Sequence, residues 1–272
     1  MTVLLQISDT HFGTEQPTVM QALVALAARQ RPDLVVLSGD ITQRARPLQF
    51  RAARAFVDQL GAPVLAIPGN HDIALFNLIA RAFYPYAAYA KAFGHDLEPV
   101  FRSAQLMVVG VNTTRRYRHK HGEVSDTQIQ RVAQLLQTAT ADQLRVVVVH
   151  QPIAVAHATD VNNCLRGHAH ASRTWAAAGA DIVMSGHIHL SYVLPLTDLP
   201  RTMWVVQAGT ATSRRLRQGL PNSVNLLRWG ETDAGRRCQI EQWDFVQNRQ
   251  DFALSSVTDI APARYLGPVV AL

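Results

Sequence analysis

The sequence contains little cysteine, little lysine and no long apolar run. Its two cysteines, Cys164 and Cys238, lie far apart, which excludes a disulfide scaffold and argues against a thiolate zinc site. No apolar stretch approaches the roughly 20 residues that a membrane span requires. Asp9 follows the short apolar N-terminal run at once and no basic n-region precedes that run, so we expect no signal peptide. These absences favour a cytoplasmic protein without a membrane anchor.

The sequence also has few charged residues, and nearly all of the positively charged ones are arginine. Only 17% of the 272 residues are charged, below the roughly 25% typical of soluble domains, whereas 48% are hydrophobic. The net charge of +6 comes almost entirely from arginine, because Lys91 and Lys120 are the only lysines. The arginines are scattered along the chain. We therefore attribute them to genomic base composition rather than to an acidic partner.

Short apolar runs alternate with helical patterns in the N-terminal part. Val3–Ile7, Leu34–Leu37 and Val64–Ile67 are typical of buried strands. Helices are predicted over Val19–Arg29 and Pro47–Leu60, the latter from apolar residues at three- and four-residue spacing. Each of the three strands is followed directly by polar residues that are able to bind metals. In open α/β sheets, ligands bind at the carboxyl ends of strands, so these positions are candidates for a site.

The rest of the chain continues this pattern and then changes character. Helices are predicted over 125–138 and Ala169–Ala178, and strands over Leu106–Val111, Arg145–Val149, Asp181–Met184, Tyr192–Leu196, Trp204–Ala208, Val224–Trp229 and Cys238–Phe245. Turn residues between the last four strands indicate antiparallel pairs. We expect an α/β fold of two packed mixed sheets with helices outside, a four-layer α/β/β/α sandwich. Residues 1–250 would form one domain, and 251–272 would be a C-terminal tail of uncertain structure.

Seven nitrogen and oxygen donors follow the predicted strands. They are Asp9, His11, Asp40, Asn70, His150, His187 and His189. A set of carboxylates, imidazoles and an amide without thiolate suits Mn, Fe, Zn, Ni or Co, and the sequence does not select among them. Seven donors are too many for one tetrahedral zinc ion. They suit two ions that share a bridging carboxylate.

The spacing of these donors resembles the metal-binding signature of a known family. The motifs D-x-H, G-D, G-N-H-[DE], H and G-H-x-H occur here in order, at Asp9 to His11, Gly39-Asp40, Gly69 to Asp72, His150 and Gly186 to His189. Together they resemble the calcineurin-like metallophosphoesterases. The stretch from Gln207 to Thr212 is similar to the branch of that family that contains bacterial class III cyclic-AMP phosphodiesterases.

The resemblance implies a role for each of these residues. Asp9, His11 and His189 would hold one metal, Asn70, His150 and His187 would hold the other, and Asp40 would bridge the two. His71 would either donate a proton to the leaving group or clamp the phosphoryl oxygens, and Asp72 would orient His71.

The resemblance also implies an activity. The protein would be a phosphodiesterase that cleaves a small phosphodiester, with a 3',5'-cyclic nucleotide as the first candidate, by in-line attack of a metal-bridging hydroxide. The alternatives are a phosphomonoesterase or a DNA or RNA nuclease that uses the same dinuclear site, or a non-enzymatic scaffold that has lost its metals. We expect no nucleic-acid partner, because the basic residues form no stripe with interleaved aromatics. The family suggests a homodimer or a larger homo-oligomer.

Several further residues are weaker candidates. Arg44 and Asn112 follow predicted strands and are expected to reach the substrate. The basic run 115–121 is interpreted as a solvated loop, with a substrate-attracting entrance as the alternative. A second G-H-x-H at Gly167–His170 follows no strand, so His168 and His170 are interpreted as surface or entrance residues. His157 is interpreted as a loop residue, and substrate choice is expected to depend on the loops 73–100, 113–124 and 153–168.

Overall fold

The apolar runs of the sequence form the strands of two sheets. The structure is a computed structural model that describes residues 1–74, 78–118, 120–217, 219–232 and 235–262. The strands are β1 (Thr2–Ile7), β2 (Leu34–Ser38), β3 (Val64–Ile67), β4 (Val100–Arg102), β5 (Leu106–Gly110), β6 (Leu144–Val148), β7 (Ile182–Ser185), β8 (Tyr192–Leu196), β9 (Met203–Gln207), β10 (Ser223–Thr232), β11 (Gly235–Val246) and β12 (Asp251–Ile260). The helices are α1 (Pro17–Gln30), α2 (Pro47–Val57), α3 (Leu78–Phe83), α4 (Ala87–Phe93), α5 (Asp126–Gln137) and α6 (His168–Ala178).

Each sheet has six strands and mixes parallel with antiparallel pairs. The first sheet has the order β12-β11-β10-β1-β2-β3, and the second has the order β4-β5-β6-β7-β9-β8. In the first, β1, β2 and β3 are parallel, and β10, β11 and β12 continue the sheet in antiparallel pairs. In the second, β5, β6, β7 and β9 are parallel, and β4 and β8 are antiparallel edge strands. The antiparallel pairing predicted for β8 with β9 and for β10 with β11 is confirmed.

The two sheets pack face to face, and helices cover their outer faces. Residues from both sheets, such as Leu4 and Val36 in the first and Val146 in the second, share one buried cluster between the sheets. A second cluster joins the first sheet to α1, α2 and α4, and a third joins the second sheet to α5 and α6. The predicted four-layer α/β/β/α sandwich is therefore confirmed.

Local sequence signals explain where several helices begin and end. Pro17 and Pro47 occupy the first helical positions of α1 and α2, where the missing N–H costs nothing. Ser125 caps α5 by accepting a bond from the backbone N–H of Gln128, and the Gln128 side chain bonds back to the Ser125 N–H. Gly61 ends the 3₁₀ extension of α2 with φ of 70°, a left-handed conformation that glycine adopts without strain.

The structure adds elements that the sequence did not predict. The expected loop 73–100 contains α3 and α4, apart from residues 75–77, which lie outside the described residues. The expected tail 251–272 begins with β12, which pairs with β11 along its whole length. Residues 263–272 of that tail lie outside the described residues. Among the described helices, none combines the length and apolar character needed to cross a bilayer.

Candidate metal centre

The seven predicted ligand side chains converge where the parallel strands of both sheets end. Asp9 and His11 follow β1, Asp40 follows β2, Asn70 follows β3, His150 follows β6, and His187 and His189 follow β7. The carboxyl ends of parallel strands share one edge of a sheet, and here the corresponding edges of the two sheets meet. Six of the seven, together with His71, form three overlapping groups of three, and the ligand atoms within each group lie within 4.8 Å of one another. Asn70 lies in the lining of the same cavity.

The backbone at this edge is held in an unusual conformation. Five of the seven residues have left-handed φ angles, 52° at Asp9, 44° at His11, 47° at Asp40, 75° at His187 and 55° at His189. The left-handed backbone conformation destabilises a residue that has a Cβ by roughly 1–2 kcal/mol. Such strain persists only where the surrounding structure fixes it, and it is concentrated at functional sites.

The first group of candidate ligands consists of Asp9, His11 and His189. Nε2 of His189 lies 3.1 Å from Oδ1 of Asp9 and 3.1 Å from Nε2 of His11. Each of the three side chains offers one donor atom, and these atoms lie within 4.8 Å of one another. Three such donors around one point form half or more of the coordination shell of a divalent transition metal.

The second group consists of Asp40, His150 and His187, beside Asn70. Oδ1 of Asp40 lies 3.2 Å from Nε2 of His150, and the rings of His150 and His187 pack edge to face at 5.2 Å. The other carboxylate oxygen of Asp40 lies 3.8 Å from Nε2 of His11, which belongs to the first group. Asp40 therefore lies between the two groups, as a bridging carboxylate would.

The unpartnered polar atoms of the site test whether these residues fit metal ions. Oδ1 of Asp9, Oδ1 of Asn70, Nε2 of His150 and both ring nitrogens of His187 are buried and make no hydrogen bond among the described residues. The short distances from Asp9 to His189 and from His150 to Asp40 lack hydrogen-bond geometry. A buried polar atom without a partner is costly unless something else satisfies it. The atoms left without partners belong to four of the predicted ligands, so the residues fit bound cations.

Neighbouring groups orient the ligand side chains. Nδ1 of His150 lies 2.9 Å from the carbonyl of Ser38, and Nδ1 of His189 lies 2.6 Å from the carbonyl of Arg215. When Nδ1 carries the proton and donates, Nε2 is left with its lone pair toward the site. The backbone N–H of His187 donates to Oδ2 of Asp9, which holds the second histidine group against the first.

Burial and the neighbouring charges set the protonation states of these groups. Burial lowers the pKa of His11 and of His187 to about 3, so both are neutral. Burial acts to raise the pKa of Asp9, but His189 and His150 together outweigh it and lower the pKa to about 2. Burial acts to lower the pKa of His150, but Asp40, Asp9 and the Ser38 carbonyl together raise it to about 9.

His71 lies beside the two groups and faces the same cavity. Its ring packs edge to face against His11 at 4.9 Å, and its Nδ1 lies 3.1 Å from the carbonyl of Gln43. Its backbone N–H donates to Oδ1 of Asp40 at 2.8 Å. These contacts fix the ring with Nε2 toward the cavity, where a substrate group would lie.

The contacts of Asp72 differ from the expectation. Its carboxylate accepts bonds from the backbone N–H groups of Ile41, Thr42 and Gly69 and from the Thr42 hydroxyl. Burial and the charge of Asp40 raise its pKa to about 6 against the effect of these bonds. Asp72 therefore ties the loop after β2 to the turn after β3, and the carbonyl of Gln43, rather than Asp72, orients the His71 ring.

A cavity of about 730 Å³ opens over the two groups. Its lining includes the expected substrate residue Arg44, together with Asp40, Asn70, His71, His187 and His189. Asn112 is not among the described residues that line it, because Oδ1 of Asn112 accepts bonds from the backbone and hydroxyl of Thr114. Asn112 shapes a local turn, and the expectation of a substrate contact there is not supported by its position.

Other residues singled out in the sequence lie on the surface or in loops. In the run 115–121, Arg115 and Arg118 are near Glu123, Lys120 lines the cavity, and His119 lies outside the described residues. The second G-H-x-H opens α6, where His170 meets the exposed carboxylate of Asp126. His157 is exposed and precedes the 3₁₀ turn Ala158–Asn163.

Sequence reasoning missed an arginine segment at the cavity. Arg215 and Arg217 follow β9 on a loop and line the cavity. Nη1 of Arg215 lies 3.1 Å from Nε2 of His71, and Nη2 of Arg217 forms an ion pair with both carboxylate oxygens of Asp160. The only sequence signal is the clustering of three arginines within Arg214–Arg217, directly after the Gln207–Thr212 stretch.

Two adjoining groups of histidine and carboxylate side chains at the strand ends of this sandwich form a candidate dinuclear metal centre. Residues 2–191 match the model of the Calcineurin-like phosphoesterase family, and the chain belongs to that family. The fold is similar to a dimetal phosphatase from Danio rerio, with a TM-score of 0.67 and 12% identity over 96% of this chain and 99% of the other. It is also similar to a purple acid phosphatase from yellow lupin, with a TM-score of 0.70 and 12% identity over 96% and 53% of the two chains.

Curated relatives are phosphodiesterases by name. The chain is 27% identical over 213 residues to a cAMP/cGMP dual specificity phosphodiesterase of Mycobacterium tuberculosis, covering 73% of this chain and 65% of that protein. It is 38% identical over 81 residues to a glycerophosphodiester phosphodiesterase of Enterobacter lignolyticus, covering 26% and 29%. It is 24% identical over 204 residues to a 3',5'-cyclic adenosine monophosphate phosphodiesterase of Escherichia coli, covering 70% and 67%. The chain thus spans less than two thirds of the length of the first two relatives.

Proposed function

We propose that this metallophosphoesterase hydrolyses a small phosphodiester, with 3',5'-cyclic nucleotides as the first substrates to test. The observation that carries the proposal is the convergence of seven ligand side chains, several with buried unpartnered atoms, beneath a cavity that also presents His71. Phosphodiesterases acting on cyclic nucleotides and on glycerophosphodiesters among the relatives support a diester over a monoester.

The proposed ligand sets divide the site as the two groups do. Asp9, His11 and His189 would hold one ion, Asn70, His150 and His187 would hold the other, and Asp40 would bridge them. Divalent ions bound there would lower the pKa of a coordinated water and neutralise charge on the phosphate oxygens. Mn, Fe, Zn, Ni and Co all suit these donors.

His71 is the proposed proton donor to the leaving oxygen. An alkoxide leaves poorly, so a proton delivered to it lowers the barrier. The Gln43 carbonyl holds Nδ1 of His71, which leaves Nε2 as the atom that would carry the transferred proton into the cavity. Asp72 contributes by fixing the loop and turn on which His71 and Asp40 are placed.

The cavity has the size and charge that a nucleotide-sized anion requires. Its volume of about 730 Å³ lies in the range of sites that enclose small organic ligands. Arg44, Lys120 and Arg215 lie in its lining and add positive charge. An anionic diester would therefore be attracted to the site.

The first experiment compares a diester with a monoester. Chelated protein would be reconstituted with Mn and assayed with bis(p-nitrophenyl) phosphate and with p-nitrophenyl phosphate. The expected result is much faster cleavage of the diester, abolished in Asp40→Ala and unchanged in the surface variant His170→Ala. Cyclic AMP, cyclic GMP and glycerophosphodiesters would then be compared at equal concentration.

The alternatives predict different results in the same assay. Turnover of the monoester alone would identify a phosphomonoesterase built on this site. Cleavage of single-stranded DNA or RNA in preference to small diesters would identify a nuclease. A protein that binds no metal and cleaves none of these substrates would be a scaffold.

A further inference from the structure

The guanidinium group of Arg215 lies in the cavity beside three uncharged or imidazole side chains. Its Nη1 is 3.1 Å from Nε2 of His71, 3.3 Å from Oε1 of Gln43 and 3.4 Å from Nδ1 of His11. Within the described part of the chain, no carboxylate lies within 4.0 Å of this guanidinium to form an ion pair. A guanidinium at a cavity wall without a carboxylate partner is available to an anionic ligand.

The neighbouring Arg217 lies in the same loop but has a structural role. Its Nη2 lies 3.0 and 2.9 Å from the two oxygens of the buried Asp160, and its Nη1 donates to the carbonyl of Ile188. The ion pair attaches the loop to the 3₁₀ turn Ala158–Asn163, and the bond to Ile188 attaches it to the segment between His187 and His189. Arg217 is thus paired and fixed, whereas Arg215 forms no ion pair among the described residues.

We propose that Arg215 binds a phosphoryl oxygen of the substrate. The guanidinium fork matches phosphate oxygens in geometry and in charge. This inference rests on the proposed function, since it assigns Arg215 to the substrate of that site. Arg215 is then a substrate-binding residue at the cavity wall.

The backbone contacts of Arg215 do not depend on its side chain, so the side chain can be replaced without removing them. The Arg215 carbonyl lies 2.6 Å from Nδ1 of His189, and its N–H donates to the hydroxyl of Ser213. Both contacts remain when the side chain is shortened. Arg214 is the matched control, because it has the same charge at the adjacent position, is exposed and is not among the residues that line the cavity.

The experiment compares Arg215→Ala, Arg215→Lys and Arg214→Ala in the Mn-loaded enzyme. Binding of inorganic phosphate would be measured by calorimetry, and KM and kcat would be measured with bis(p-nitrophenyl) phosphate. We expect Arg215→Ala to weaken phosphate binding and raise KM by about ten- to hundredfold, the effect of losing a charge-assisted hydrogen bond. Arg215→Lys should lie between this variant and the wild type. Arg214→Ala should stay within about twofold of the wild type, and metal content should be equal in all four proteins.

Three outcomes would overturn the inference or separate it from the proposed function. A lower kcat of Arg215→Ala with unchanged phosphate affinity and KM would show that Arg215 acts in the chemical step and does not bind the substrate. Metal loss in Arg215→Ala would assign the side chain to the metal site, and either result contradicts substrate binding. Phosphate binding that depends on Arg215 in an enzyme that cleaves no diester would reject the proposed function and support the assignment of Arg215 to phosphate.

Discussion

Oδ1 of Asp40 lies 3.2 Å from Nε2 of His150, and both side chains are buried between the two sheets. The two residues come from different sheets, since Asp40 follows β2 and His150 follows β6. The carbonyl of Ser38, two residues before Asp40, lies 2.9 Å from the other nitrogen of the same imidazole. The turn after β2 therefore orients a histidine of the opposite sheet toward its own carboxylate, and the site depends on how the sheets are packed.

Replacing Asp40 should disrupt both metal positions at once. Asp40→Asn keeps the shape of the side chain but removes the charge that lies between the two groups. Loss of an outer-shell partner alone costs ten- to a hundredfold in metal affinity or activity, so loss of this ligand should cost more than about a hundredfold. Metal content after dialysis, measured by mass spectrometry, should fall for both ions. Asp58→Asn, on the surface, should leave it unchanged, and two ions retained in Asp40→Asn would contradict the bridging role.

The two G-H-x-H motifs provide a matched pair of histidine variants. His189→Ala should lose the metal of the first group and reduce diester cleavage by more than about a hundredfold, because Nε2 of His189 meets Asp9 and His11. His170→Ala should change neither metal content nor diester cleavage, because His170 is exposed and pairs with the exposed Asp126. Both variants would be assayed for metal content and turnover. Equal loss in the two variants, or no loss in either, would show that the wrong motif has been assigned to the site.

The sequence predicts the ligand set because its signals are local. A short apolar run that ends in a polar residue identifies a strand and its carboxyl end, and parallel strands then bring those ends to one edge. Asp9, Asp40 and Asn70 are found in this way. The elements that the sequence did not predict lack such signals. Helices α3 and α4 have only six and seven residues. The middle of β12 is exposed on both faces, so no alternation of buried and exposed residues identifies it.

The parts of the site that the sequence does not predict depend on long side chains and distant loops. The guanidinium of Arg215 reaches His71 across 144 positions of the chain, and only the packed structure determines that path. For Asn112, by contrast, the sequence predicts a substrate contact that its position does not support. It follows a strand of the second sheet, as His150 does, but the nearby Thr114 binds its side chain before it can reach the cavity. Whether a neighbouring residue binds a polar side chain cannot be judged from the position of that side chain in the sequence alone.

Gly39 should tolerate no side chain, because a Cβ there would overlap with the ring of His150. Its φ of 94° adds backbone strain to this overlap. Gly61 has a similar φ of 70° but open space around its Cα, so Gly61→Ala isolates the strain, about 1 kcal/mol. Gly39→Ala should therefore lower the free energy of unfolding by clearly more than Gly61→Ala and also reduce metal content. Equal stability of the two variants in urea, with full metal content in both, would show that His150 can move away without cost.

Asp72 should be required for stability although it contacts neither the His71 ring nor the cavity. Its two oxygens accept four bonds from Ile41, Thr42 and Gly69, and an amide in Asp72→Asn would turn its NH₂ toward at least one of these donors. An unsatisfied buried donor costs about 1–3 kcal/mol, so the free energy of unfolding should fall by about that amount per lost bond. Urea denaturation of chelated protein at pH 7.5 measures this directly, with the exposed Asp58→Asn as the control. If Asp72→Asn is as stable as the wild type but cleaves the diester poorly, Asp72 acts on the reaction itself, and its assignment to the loop and turn is wrong.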